Sequence, residues 1–133
     1  MSVVVGYIPT KEGRAALEHA ASEAKLRGCD LILVNSTRSG RDPEAEAARK
    51  FEESLAEVRS DLENQQISFV ERSLARGQDP AEDLIDVAEE VDAQCIVIGL
   101  RRRSPIGKLV LGSNAQRILL DARCPVIAVK ATS

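Results

Sequence analysis

Apolar positions along this chain switch repeatedly between continuous short runs and a three-to-four-residue spacing. Val3-Val4-Val5-Gly6-Tyr7-Ile8 is a short, largely β-branched run, the pattern of a buried strand. Leu17, Ala20, Ala21 and Ala24 then mark one face of a helix, and Gly28 supplies its stop. Leu31-Ile32-Leu33-Val34 is a second buried strand. Asp42-Pro43 reads as helix N-cap plus first-turn proline, and Phe51, Leu55, Val58 and Leu62 line the apolar face of the helix that follows. Ile67 to Val70 is a weaker third strand whose polar neighbours place it at an edge. Asp79-Pro80-Ala81-Glu82 opens another helix, with Glu82 placed to close a capping box, and Ala81, Leu84, Ile85, Ala88 and Val91 mark its face. Cys95-Ile96-Val97-Ile98 is the fourth strand. Ala115, Ile118, Leu119 and Ala122 mark the last helix, and Pro125 to Val129 is the fifth strand.

Strand and helix therefore alternate from end to end. Continuous apolar strands joined by amphipathic helices are those of a parallel sheet covered on both faces, and right-handed crossovers distribute the helices to either side. The expected architecture is a doubly wound α/β fold: a five-stranded parallel sheet of order 3-2-1-4-5, as one domain over residues 1–133. A chain of this length buries a core without disulfides or metal. In such sheets ligands bind at the carboxyl ends of the strands where the winding reverses. With this order the reversal lies between strands one and four, so Ile8-Pro9-Thr10 and Gly99 to Arg103 are expected on the two lips of one crevice.

Composition narrows the function classes. No apolar run approaches the roughly 18 residues of a membrane span, so no membrane partner is expected. The first residues lack a basic region followed by a cleavage site, and a cytoplasmic location is expected. Cys29, Cys95 and Cys124 are odd in number and lack CxxC spacing, which fits small buried hydrophobes better than a disulfide framework or a zinc site. The net charge is −3, unevenly spread. Residues 101–123 hold six basic residues against Asp121 alone, a net +5, leaving −8 on the remainder. With Tyr7, Phe51 and Phe69 the only aromatics, there are few platforms for stacking bases. A basic patch on an acidic chain suits a compact anion better than nucleic acid.

That patch coincides with the segment GLRRRSPIGKLVLGS, Gly99 to Ser113, between the fourth strand and the last helix. Gly99 ends the strand, where a missing Cβ admits a close approach to the backbone. Leu100 and then Arg101, Arg102 and Arg103 follow. Ser113 with Gln116 has the form of a capping box, and the N–H groups of Gly112, Ser113, Asn114 and Ala115 would face an anion at the helix N-terminus. A basic loop that needs only solvation accounts for the charge equally well. Neither GxxxxGK[ST] nor GxGxxG is present.

Ile98-Gly99, Gly112-Ser113-Asn114-Ala115 and Cys124-Pro125-Val126-Ile127-Ala128-Val129, together with the length and element order, resemble the universal stress proteins. The resemblance spans essentially the whole chain. Nucleotide-binding members carry a G-x2-G-x9-G-[S/T] loop; Gly99, Gly112 and Ser113 match it, and Arg102 stands at the second glycine. Where members often read Asp-x-Ser after the first strand, this chain has Ile8-Pro9-Thr10. The resemblance implies a Rossmann-like, adenine nucleotide alpha hydrolase-like fold. It also implies ATP or another adenine nucleotide in the crevice, with Asn35 at the end of strand two near the base. Magnesium would come with the phosphates rather than in a protein cage. It further implies a homodimer through residues 124–130, which an apolar edge strand independently favours.

The expected role is a non-catalytic nucleotide-binding regulator of a stress response. The alternative is a dimeric interaction module with a vestigial pocket, and a slow ATPase is a third reading. His19 is expected on the outside of its helix, and Ser104 and Ser113 lack the His and Asp partners of a hydrolase triad.

Overall fold

The computed structural model describes residues 2–6, 11–36, 45–74, 80–100 and 112–130. Five strands, β1 (Ser2–Gly6), β2 (Asp30–Ser36), β3 (Phe69–Leu74), β4 (Cys95–Leu100) and β5 (Val126–Lys130), alternate with four helices, α1 (Lys11–Arg27), α2 (Ala45–Asn64), α3 (Pro80–Glu90) and α4 (Ser113–Asp121). The strands form one sheet of order β3-β2-β1-β4-β5, and its four pairings are all parallel. This is the doubly wound, Rossmann-like arrangement expected from the alternation.

Side chains of successive strand residues point to opposite faces, and each face has its own core. Val3, Val5, Leu31, Leu33, Cys95 and Val97 pack with Ala16, Leu17, Ala20, Ala21 and Ala24 of α1 and with Leu55, Val58 and Leu62 of α2. Val4, Ile32, Val34, Ile96 and Ile98 pack with Ala81, Leu84, Val87 and Ala88 of α3 and Ile118 of α4. β1 lies between two strands and two layers of helix, and Val3, Val4 and Val5 are fully buried. Each such side chain contributes roughly 1.5–3 kcal/mol of transfer free energy, so β1, β2 and β4 dominate the stability. α4 contributes one buried residue, Ile118, and Leu119, expected on its inner face, is exposed. The reason is angular: Ile118, Ala115 and Ala122 already fill the stripe facing the sheet, and Leu119 lies about 100° around the helix from the buried Ile118.

Three helices end alike. Gly28, Gln66 and Asp92 adopt positive φ, and the amides beyond them reach back: Cys29 to the Ala24 carbonyl, Ile67 to Leu62 and Ala93 to Ala88. This is the Schellman arrangement, with an apolar residue after the left-handed one. It corrects the expected bounds of the third strand. Ile67 is buried as the closing contact of α2, so β3 begins two residues later, at Phe69.

The two sheet edges differ. On β3, the Arg59 guanidinium of α2 donates twice to Glu71, at 2.6 and 2.9 Å, and Arg72 donates to Glu90 of α3 at 2.8 Å. On β5, Val126, Ile127, Ala128 and Val129 precede any charge.

Candidate functional site

β1 and β4 are neighbours, while the chain leaving β1 and the chain leaving β4 turn into helices on opposite faces. The carboxyl ends of these two strands are the reversal point, with the first turn of α1 on one side and α4 on the other. Ile8, Pro9, Thr10, Arg101, Arg102 and Arg103, expected on the two lips, lie outside the described residues, as do Asp42-Pro43 and Asp79. Asn35 sits in β2 opposite Ser73 of β3, toward the same edge of the sheet but beyond β1 from β4.

Gly99 and Leu100 complete β4. Leu100 is buried, at 8% exposure, on the face of Ile96 and Ile98. Gly99 alternates onto the other face, toward α1. A Cβ built there would stand 2.7 Å from the Glu12 carbonyl carbon and 3.1 Å from the Glu12 Cβ, with the carbonyl oxygen closer still. The glycine admits a close approach, as expected, but what approaches is the main chain of α1. Glu12 carried no sequence signal for this role.

α4 begins differently from the sequence expectation. Ser113 is its first residue rather than its cap. Gly112 is the cap, with φ −69° and ψ 165°, and its carbonyl accepts the Gln116 amide at 3.0 Å. The Ser113–Gln116 capping box therefore does not form: Gly112 offers no side chain, and no side-chain cap bond closes this end. α1 carries Glu12 in its first turn and α3 carries Glu82 and Asp83, whereas the first turn of α4 has no acidic residue. Carboxylates in a first turn offset the positive end of the helix dipole, and the first turn of α4 supplies none. Ser113 is exposed and Asn114 and Ala115 half-buried. Gly112 is demanded neither by conformation, since any residue adopts this extended backbone, nor by packing, since an added Cβ would meet nothing within 4 Å.

An ion-pair cluster holds α4 against α3. Arg117 donates to Glu82 and lies 3.7 Å from Asp121, while Arg123 lies 3.3 Å from Glu89. Asp79, with which Glu82 was expected to form a capping box, lies outside the described residues; Glu82 binds across to α4. Such a pair between helices distant in sequence leaves no local pattern. His19 is on the outer side of α1, with Nε2 3.4 Å from Glu23. Arg27 and His19 hold the Glu23 carboxyl below the usual range, the Arg27 hydrogen bond contributing most. The three cysteines are free, and burial pushes the Cys95 and Cys124 thiols up. Among the described residues no group of His, Cys, Asp and Glu has the makings of a metal site, and no helix is long and apolar enough to cross a membrane.

The model of the universal stress protein family matches residues 1–130. The chain belongs to the universal stress protein family. A universal stress protein of Mycolicibacterium smegmatis is 41% identical over 128 residues, covering 96% of each chain. A universal stress protein structure from Archaeoglobus fulgidus superposes with a TM-score of 0.82 at 38% identity, covering 98% of both chains. Another structure from that organism, a universal stress protein in complex with dAMP, gives 0.77 at 34% identity over 98% of both chains. The fold expected from the strand–helix alternation and the family expected from the Gly99–Ser113 pattern are thus both shown for this universal stress protein.

Proposed function

We propose that this universal stress protein binds an adenine nucleotide at the carboxyl ends of β1 and β4, with the phosphates at the N-terminus of α4. The observation that carries the proposal is that α4 starts with an open, uncapped glycine and a first turn without carboxylates, next to the winding reversal. Backbone N–H groups in that setting are suited to an anion. The similar Archaeoglobus protein in complex with dAMP supports adenine as the base. Arg101, Arg102 and Arg103, leaving β4, are proposed to supply charge to the phosphates, and Ile8, Pro9, Thr10 and Asn35 to line the nucleoside. ATP with magnesium and AMP are both admitted; magnesium would be bound by the phosphates.

The nucleotide is proposed to be held rather than consumed. Hydrolysis needs a group that orients water in line with the γ-phosphate. His19 sits on the third turn of α1 and Asp121 at the far end of α4, and Glu82 is engaged by Arg117. The role is then regulatory: occupancy reports nucleotide state to a partner protein in a stress response.

The partner in assembly is proposed to be a second copy, joined through residues 124–130. The Ile96 amide donates to the Pro125 carbonyl. Alternation along a parallel ladder then turns the amides of Val126, Ala128 and Lys130 outward on a strand with no other neighbour. This edge alone favours a second reading, an interaction module whose pocket is empty. Mass spectrometry of small molecules released from the denatured purified protein, followed by calorimetry with ATP, AMP and cyclic AMP, separates the two. An adenine nucleotide released or bound supports the first reading; no ligand and no heat leave the second.

A further inference from the structure

We infer that Gly99 is a positioning residue: it seats the first turn of α1 against the end of β4 and so fixes the distance between the start of α1 and the carboxyl end of β4. The inference rests on the proposed nucleotide site for its functional consequence, but not for its geometry.

Gly99 lies on the sheet face of Cys95 and Val97, the face that α1 covers. Its missing side chain is replaced by the main chain of Glu12, 2.7 Å from the site of a Cβ at the carbonyl carbon. Real Cβ atoms do not come this close to backbone, so any side chain at position 99 must displace a helix rather than a rotamer. Gly6, at the end of β1, differs: a Cβ there would meet only the Leu84 methyl groups, at 3.4 and 3.5 Å, an ordinary contact. Of these two strand ends, only β4 requires glycine. Glu12 is the second residue of α1 and follows Ile8-Pro9-Thr10 by two positions. Gly99 precedes Arg101-Arg102-Arg103 by the same interval. The contact therefore ties the base of one connection to the base of the other. A methyl group at position 99 pushes the first turn of α1 away from the end of β4, and a nucleotide bound at the carboxyl ends of β1 and β4 then loses affinity.

The decisive experiment compares Gly99→Ala with Val97→Ala, which opens the same core one strand position-pair away without touching Glu12. Hydrogen exchange is read first, on the ligand-free proteins. Gly99→Ala is expected to accelerate exchange at least tenfold at residues 13–16 while the C-terminal half of α1 keeps its protection; Val97→Ala is expected to show no such polarity. Affinity for dAMP is read second, below the melting temperature of both variants. A loss of at least tenfold in Gly99→Ala, against less than threefold in Val97→Ala, supports positioning over a general loss of stability. Equal losses in the two variants, or unaltered exchange at residues 13–16, overturn the inference. If the unmodified protein binds no nucleotide, the proposed function fails, and the exchange pattern still decides the seating. If Gly99→Ala does not fold, the unmodified protein decides it: a strong nuclear Overhauser effect between the Gly99 α-protons and the Glu12 β-protons is expected, and its absence refutes the contact.

Discussion

Gly112→Val separates ligand approach from protein packing at the start of α4. The backbone there has φ −69° and ψ 165°, which valine adopts freely, and a Cβ meets nothing within 4 Å. Valine is a poorer N-cap than glycine, a cost of about 0.5–1 kcal/mol, and it offsets part of this by restricting the unfolded chain, by about 0.4–1 kcal/mol. The net change in stability is therefore expected within about 1 kcal/mol, or roughly 4 °C in melting temperature for a chain of this size. Binding is affected far more. A hydrogen bond from a backbone N–H to a charged group contributes about 1.5–3 kcal/mol. Displacing the phosphate from even one such donor weakens binding about ten- to a hundredfold. Calorimetry with AMP and ATP, paired with thermal unfolding, reads both quantities on one preparation. Unaltered affinity in a folded variant refutes the assignment of phosphate to this helix end. A melting temperature more than about 10 °C lower refutes the open space on which the reasoning depends.

Ala128→Pro removes an outward amide from β5 and leaves the pairing with β4 intact, since proline is tolerated on a strand's free side; sedimentation is expected to show monomers, and a persistent dimer at micromolar concentration refutes the β5 interface. Purified protein is expected to release phosphate from magnesium-ATP more slowly than about one turnover per minute, far below the median enzyme turnover of about ten per second; sustained faster release overturns the non-catalytic role. The Cys95 thiol is fully buried and raised from its ordinary value of 9.0. The folded state therefore keeps a proton that the unfolded chain loses above that value, and stability is expected to fall as pH rises past it; urea melts in which Cys95→Ala loses as much stability with alkalinity as the parent refute this origin. Gln66→Gly relieves a left-handed backbone strain worth roughly 1–2 kcal/mol and is expected to raise the melting temperature; a decrease refutes the strain.

The sheet was legible in the sequence because its information is periodic. Val3-Val4-Val5, Leu31 to Val34 and Cys95 to Ile98 are apolar at consecutive positions, which only a strand covered on both faces requires. What escaped was long-range or competed for. Ile67 is apolar like a strand residue but is used to close α2, so the start of β3 was misplaced. Ser113 and Gln116 have the spacing of a capping box, yet the chain enters α4 one residue earlier and Gly112 takes the cap. Glu82 fits its own helix start, and its pairing with Arg117 of α4 leaves no pattern in the local sequence. Gly99 announced a close approach, but a glycine cannot say whether a ligand or a helix fills the space. Of the candidate site, Gly99, Leu100 and Gly112 to Ala115 are placed by the structure, and the segments at 8–10 and 101–103 lie outside the described residues.

The unlike edges of the sheet have a consequence for stoichiometry. A parallel sheet with two adhesive edges has no reason to stop growing, and strand addition at both would generate filaments. Here Glu71 and Arg72 on β3 are already engaged by Arg59 and Glu90. A strand arriving at that edge meets charged side chains already bound to the helices on both faces. On the other edge, Val126 to Val129 carry no charge. Under the proposed pairing through β5, growth ends after one addition, because each copy turns its charged β3 edge to the outside. In that arrangement the charge placed on β3 would hold an assembly built by extending the sheet to two copies.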